Sequence, residues 1–209
     1  AAKKKVAVYC SDVSGAFDRV RMERLVAKLK AKRVHPDVVS VLASWLRPRK
    51  AHVVVEGQQS IELLLRNMVF QGTVLGPMLW NLFFEDARHA INDCFYTEVA
   101  FADDLNAYRI FPASVPNDVI MANIKTCQDE LHRWGDANQV AFDAGKESEH
   151  VLSLSDPDSI GFPLLGIDFD GALTMVDAVD SVVAAAGWKL RTLLRTRRYY
   201  NDSEMIIFD

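Results

Sequence analysis

Three carboxylates stand where an unpaired acid is costly. Asp12 follows Ser11 at the end of an apolar run from Val6 to Cys10. Asp103 and Asp104 sit side by side between two more apolar runs, Tyr96 to Phe101 and Leu105 to Ile110. Burying a strand end penalises a charge, and adjacent acids repel each other. A divalent cation relieves both costs, and hard oxygen ligands of this kind suit Mg²⁺ or Mn²⁺. Two such ions held about 3.5–4 Å apart can activate an attacking oxygen and stabilise a leaving one in phosphoryl transfer. Taken alone, an Asp-Asp pair between strands is more often a polar turn, and Asp12 by itself is unremarkable.

What ties the carboxylates together is a set of three motifs in order. Asp12-Val13-Ser14-Gly15-Ala16-Phe17-Asp18 lies at a strand-to-helix junction. Gln71-Gly72-Thr73-Val74-Leu75-Gly76-Pro77 precedes the helical run Met78-Leu79-Trp80-Asn81-Leu82-Phe83, and Phe101-Ala102-Asp103-Asp104 lies on an expected hairpin. Together they resemble the reverse transcriptase family, specifically its non-LTR retrotransposon branch. The first is similar to the motif with a metal aspartate and an aromatic five residues on. The second is similar to the Gln-Gly…Pro loop that opens the palm helix. The third is similar to the Tyr-Ala-Asp-Asp box, with Phe101 in place of tyrosine. One motif alone is weak evidence, whereas three in order and spacing make chance a poor explanation. Two looser segments extend the likeness to about Val6–Phe169. Trp134 to Lys146, with Asn138 and Phe142 between, is similar to the next family motif, and Leu164-Leu165-Gly166-Ile167 to a Leu-Gly hairpin at the primer end. Phe70, Gly76 and Trp80 depart from the usual proline, serine and phenylalanine, and none of them touches a carboxylate.

The resemblance implies RNA-directed DNA polymerisation with two Mg²⁺ or Mn²⁺ ions. Asp12 and Asp103 would hold both ions, Asp104 would assist one, and the carbonyl of Val13 would add a ligand. Phe17 would stack under the sugar of the incoming nucleotide, although a Phe at the head of a helix is more commonly core. That ring speaks against an RNA-dependent RNA polymerase, because it would clash with a 2′-hydroxyl. Gln71 and Gly72 would contact nucleotide and template. Lys146 would protonate or neutralise the departing pyrophosphate, and a solvated loop lysine is an equally good reading. Lys189, Arg191, Arg195, Arg197 and Arg198 form a basic cluster beside Tyr199 and Tyr200. They would contact phosphates of the template–primer duplex, against the plainer reading of a solvated helix face. The implied partners are an RNA template, a DNA primer and deoxynucleoside triphosphates.

These side chains need elements to position them. The order of elements mixes strands, helices and hairpins, so an α+β fold is expected in preference to a doubly wound sheet. Helices are expected after Asp18 as N-cap, from Pro36 to about Leu46, from Met78 to Ile91, across the amphipathic stretch Asn117–Asn138, and from Asp180 to Tyr200. A hairpin is expected with His52–Glu56 and Ile61–Leu65 flanking Gly57-Gln58-Gln59. Further strands are expected at Val151–Leu154, Leu164–Phe169 and Leu173–Val176. In the family's terms residues 1–178 would be a palm, an antiparallel sheet with helices on one face, and residues 179–209 the start of a helical thumb.

The bulk properties set limits. The 209 residues are half hydrophobic and a quarter charged, which suits a globular domain with a core. No apolar run approaches the roughly 20 residues of a membrane span. Cys10, Cys94 and Cys127 lie far apart, with neither zinc nor disulfide spacing, and fit a reducing intracellular compartment, cytoplasm or nucleus. The net charge of -4 runs against nucleic-acid binding, so cations must be concentrated locally. The family's fingers region, which holds the triphosphate, is not visible ahead of Asp12. The expectation is a fragment of a longer polyprotein, with negligible primer extension by itself. The alternative is an inactive nucleic-acid-binding remnant of a retroelement.

Overall fold

The computed structural model describes residues 4–65, 69–102, 104–155 and 161–199. In chain order the elements are β1 (Lys4–Asp12), α1 (Met22–Ala31), α2 (Pro36–Trp45), β2 (Arg49–Ala51), β3 (Val54–Val55), β4 (Gln58–Gln59) and β5 (Leu63–Leu65). There follow α3 (Gly76–Phe84), α4 (Ala87–Asp93), β6 (Thr97–Phe101), β7 (Asp104–Pro112), α5 (Asn117–Asn138), β8 (Ser148–Leu152), β9 (Phe162–Leu164), β10 (Ile167–Phe169) and α6 (Val176–Thr196). The chain forms two compact units, Ala1–Val151 and Leu152–Asp209. In the second unit α6 packs on β10.

The first unit is built on a four-stranded sheet of order β6-β7-β1-β8. β7 is antiparallel to both neighbours, with β1 in register from Lys4↔Pro112 to Asp12↔Asp104 and β6 from Thr97↔Tyr108 to Phe101↔Asp104. Strand alternation separates the two faces. Ala7 and Tyr9 on β1 and Leu105 and Ala107 on β7 are buried on one face, which α4 and α5 help to cover. On the other face Val99, Phe101, Tyr108 and Ile110 stay exposed. This is a mixed fold with an antiparallel sheet, as the order of elements predicts.

α5 runs over the expected Asn117–Asn138, because Ile120, Ile124, Cys127, Leu131 and Gly135 recur at helical spacing and face the core. Gly135 is required by a close approach. A Cβ there would lie 2.7 Å from the carbonyl oxygen of Val140, which folds back to donate its own N–H to Gly135. The chain then returns along β1 toward β8.

Four expectations need correction. Asp18 does not cap a helix; it sits in a short 3₁₀ turn, Ala16–Arg19, and α1 starts at Met22. The single helix expected over Met78–Ile91 breaks in two after Phe84. Lys28 Nζ reaches in there to the Phe83 carbonyl at 2.6 Å and the Asp86 carboxylate at 2.7 Å, and Trp134 also donates to Asp86. The first hairpin turns one residue early, at Glu56-Gly57, both left-handed, with β2 paired to β5 outside it. Leu173–Val176 is not a strand, because Leu173 and Met175 have positive φ and Asp170 gathers the N–H groups of Ala172, Thr174 and Met175. The Leu-Gly hairpin is present, with Leu165 and Gly166 both left-handed between β9 and β10, as a tight primed turn requires.

Candidate active site

Asp12 ends β1 and Asp104 begins β7, and the two are direct partners across the ladder. The 91 residues between them are thereby bridged by one strand pairing. Ser11 locks this end of the sheet by donating its hydroxyl to the Leu105 carbonyl at 2.6 Å. Asp103 lies outside the described residues. Ala102 just before it adopts a left-handed φ of 56°, and its carbonyl accepts the Trp80 indole N–H at 3.0 Å. Trp80 is buried in α3, stacked on Phe84 at 4.8 Å, so the turn approaching the carboxylates is tied to the core. In the sequence Trp80 stands out only as a departure from phenylalanine; its donor is what the departure adds.

On the other flank, Val13 bridges Phe142. The bonds belong to their neighbours: Asp143 N–H donates to the Asp12 carbonyl and Ser14 N–H to the Ala141 carbonyl, both at 2.9 Å. In such a pair the bridged residue's own carbonyl points away from its partner, so Val13 C=O is turned to the side of β7. Lys146 Nζ stands 3.0 Å from Asp12 Oδ2.

A cavity of 370 Å³ opens here, lined by Asp12, Val13, Ser14, Phe17, Gln71 and Lys146 among others. It brings together five of the residues singled out from sequence, with Asp104 joined through the ladder. Phe17 is half-buried, its ring 5.9 Å from that of Trp80. Its carbonyl accepts the Val69 N–H, which fastens the Gln71 loop. Gly72 is not among the residues lining the cavity, and its φ of 79° is a conformation only glycine takes readily. Gly76, where serine is common in the family, is close-packed: a Cβ would meet the Phe70 carbonyl at 3.1 Å. Asp143 also lines the cavity and escapes sequence reasoning, because nothing in its surroundings distinguishes it from a loop acid. Burial, with the Asp104 charge adding to it, pushes the Cys10 thiol up, so the sulfur beside the site stays neutral.

The donor set fits a hard divalent cation: two carboxylates at paired strand ends, with the Val13 carbonyl next to Asp12 in the chain. Among the described residues no group of three or more potential ligands is assembled, and the motif's third acid, Asp103, is outside them. The basic cluster belongs to the second unit. Lys189, Arg191 and Arg195 are exposed on α6 of the second unit and Arg197 is exposed just beyond it. The side chain of Arg198 lies outside the description.

Residues 1–148 match the family model described as reverse transcriptase (RNA-dependent DNA polymerase). The chain therefore belongs to the reverse transcriptase family. It is 35% identical over 106 residues to a probable RNA-directed DNA polymerase from transposon BS of Drosophila melanogaster, covering 46% of this chain and 12% of that protein. It is 29% identical over 151 residues to the RNA-directed DNA polymerase from mobile element jockey of Drosophila funebris, covering 69% and 16%. With the Pol polyprotein of type-1 retrotransposable element R2 of Popillia japonica it shares 26% identity over 118 residues, covering 52% and 20%. These relatives agree with the non-LTR branch. The chain spans a fifth or less of the length of each of them. Among solved structures, apo telomerase of Candida tropicalis truncated from its C-terminal domain superposes with a TM-score of 0.59 at 14% identity, over 82% of this chain and 35% of that one. That likeness concerns the fold alone. Among the described residues no helix is long and apolar enough to cross a membrane.

Proposed function

We propose that this chain carries the palm of an RNA-directed DNA polymerase and performs template-directed nucleotidyl transfer with two divalent ions. The carrying observation is the pairing of Asp12 with Asp104 at adjacent strand ends, beside a cavity walled by Phe17, Gln71 and Lys146. Asp12 and Asp104, with Asp103 and the carbonyl of Val13, would hold the ions. Bound there, Mg²⁺ or Mn²⁺ supplies charge neutralisation and activation of the attacking oxygen. The chain's own residues do the rest. Phe17 presents a ring to the sugar, Gln71 lines the base side, and Lys146 delivers a cation and a proton to the leaving pyrophosphate. The hairpin β9–β10 would steady the primer end, and the cations of α6, as the start of a thumb, would hold duplex phosphates. RNA template, DNA primer and deoxynucleoside triphosphates are the partners of this reading.

Titration of the chain with Mn²⁺ and a deoxynucleoside triphosphate, followed by electron paramagnetic resonance, tests it. Triphosphate binding should require the metal, and Asp12→Asn and Asp104→Asn should each weaken it by about tenfold or more, since losing even an outer-shell partner of a metal ligand costs about 10–100-fold in affinity. Equal binding by wild type and both variants would overturn the assignment.

A further inference from the structure

Beneath the Lys146 turn lies a hydrogen-bonded trio for which neither the motifs nor the reaction has a use. Glu147 is a carboxylate with only 5% of its side chain exposed. It accepts a hydrogen bond from the Tyr9 hydroxyl, itself fully buried at the centre of β1. The same oxygen lies 2.8 Å from Nε2 of His132 on α5. The His132 ring stacks flat on Phe142, with centroids 5.3 Å apart and planes 3° from parallel. Burial, the hydrogen bond to Glu147 and its charge all push the Tyr9 phenol up, so the hydroxyl remains a donor.

The turn itself is short and closed on one residue. The amides of Lys146 and Glu147 both donate to the Asp143 carbonyl, at 2.8 and 3.0 Å, and Gly145 N–H donates to the Asp143 carboxylate. Its entrance is fixed on the Asp12 backbone through the Asp143 N–H. Its exit has Glu147 directed inward to Tyr9 while its neighbour Lys146 reaches Asp12. A buried carboxylate needs its partners, and removing one leaves an uncompensated charge. An apolar side chain would fill the space without fixing a direction.

We propose that Glu147 is a positioning residue for Lys146: held between Tyr9 and His132, its carboxylate sets the turn that places the Lys146 ammonium against Asp12. The inference rests on the metal reading of Asp12 only for its consequence there. An ammonium held on Asp12 competes with a cation for the same oxygen, so the brace sets how readily metal enters.

The experiment uses the whole chain and two readouts. In amide hydrogen exchange, Tyr9→Phe and Glu147→Leu should each speed exchange at Lys146 and Glu147 by about tenfold or more, while buried Leu131 and Ala107 change by less than about twofold, the pattern of local opening. Glu147→Gln, which keeps an acceptor oxygen, should restore most of the protection. Acceleration at all four amides alike, or at none, would overturn the proposal. In Mn²⁺ titration, Lys146→Ala should tighten binding by a factor of about two to five, the range of a largely exposed ion pair. Glu147→Leu should tighten it similarly, and in the Lys146→Ala background it should add nothing, a non-additive pair. Additive effects would overturn the proposal. If wild type binds no Mn²⁺ at Asp12, the metal reading falls, and the exchange experiment alone decides the brace.

Discussion

At the scale of single residues, Phe17 and Trp80 divide the work of shaping the site. Phe17 walls the cavity yet packs on Trp80 and lies close to Gly76, so it has both a face for ligand and a face for the core. In an active polymerase context, Phe17→Ala should raise the ratio of ribo- to deoxynucleotide incorporation by about tenfold or more, since the barrier removed is steric. Because the ring is half-buried, its stability cost should fall short of the roughly 3–5 kcal/mol of a fully buried aromatic. Competition between ribo- and deoxynucleotides, with thermal melting as control, measures both; an unchanged ratio would make Phe17 a packing residue only. Trp80→Phe removes one donor and leaves the Ala102 carbonyl short of a partner. It should cost about 1 kcal/mol and loosen the turn before the carboxylates. Faster exchange of the Leu105 and Asn106 amides in the variant checks this, and unchanged exchange would detach Trp80 from the site.

At the scale of elements, the segment before α6 is held by one acid. Asp170 accepts N–H groups from Thr174, Met175 and Ala172 and the Thr174 hydroxyl. The bonds to Thr174 and Met175 foremost hold its carboxyl down at about 2. The folded value lies below that of an unfolded aspartate, about 3.9, so protonation favours the open form. Its stabilisation is complete above about pH 4 and is lost as pH falls through about 2. The amide resonances of Thr174 and Met175 should titrate with a midpoint near 2; a midpoint near 4 would show that the loop does not hold the carboxylate. Nothing in the run Leu173–Val176 reveals this. Its apolar composition suggests a strand, and the positive φ of Leu173 and Met175 with the four bonds converging on Asp170 excludes one. The split after Phe84 is illegible for the same reason, since Lys28 reaches it from 55 residues away. By contrast, α5 and the strands around Asp12 and Asp104 are readable, because their periodicity and their burial coincide. The motif order places Asp12, Val13, Phe17, Gln71 and Lys146 around one cavity. Glu147 and Asp143 are not readable, since a buried brace and a loop acid look alike in sequence.

At the scale of the whole molecule, the acidic net charge conceals an uneven distribution. Between Arg19 and Lys50 there are ten Lys or Arg against two acids, and a second group of cations lies on and beyond α6. Lys28, Lys32 and Lys50 of the first group are paired with Asp86, Glu85 and Glu62, whereas Lys189, Arg191, Arg195 and Arg197 of the second are exposed. Replacing Lys189, Arg191, Arg195 and Arg197 by alanine should lower the slope of log affinity against log salt by up to about 0.9 for each duplex phosphate that is no longer neutralised, without abolishing binding. An unchanged slope in fluorescence anisotropy with an RNA–DNA hybrid would return those residues to the role of a solvated face.

Whether Asp12 and Asp104, with Asp103, hold two catalytic ions can be seen in crystals of the chain grown with Mn²⁺ and a deoxynucleoside triphosphate. Anomalous scattering at the manganese edge locates the metal without reference to activity. Two anomalous peaks are expected about 3.5–4 Å apart, both bound by Asp12, with Lys146 shifted from Asp12 toward the triphosphate. A well-ordered site with Lys146 still paired to Asp12, and no manganese on either Asp12 or Asp104, would contradict the two-ion reading.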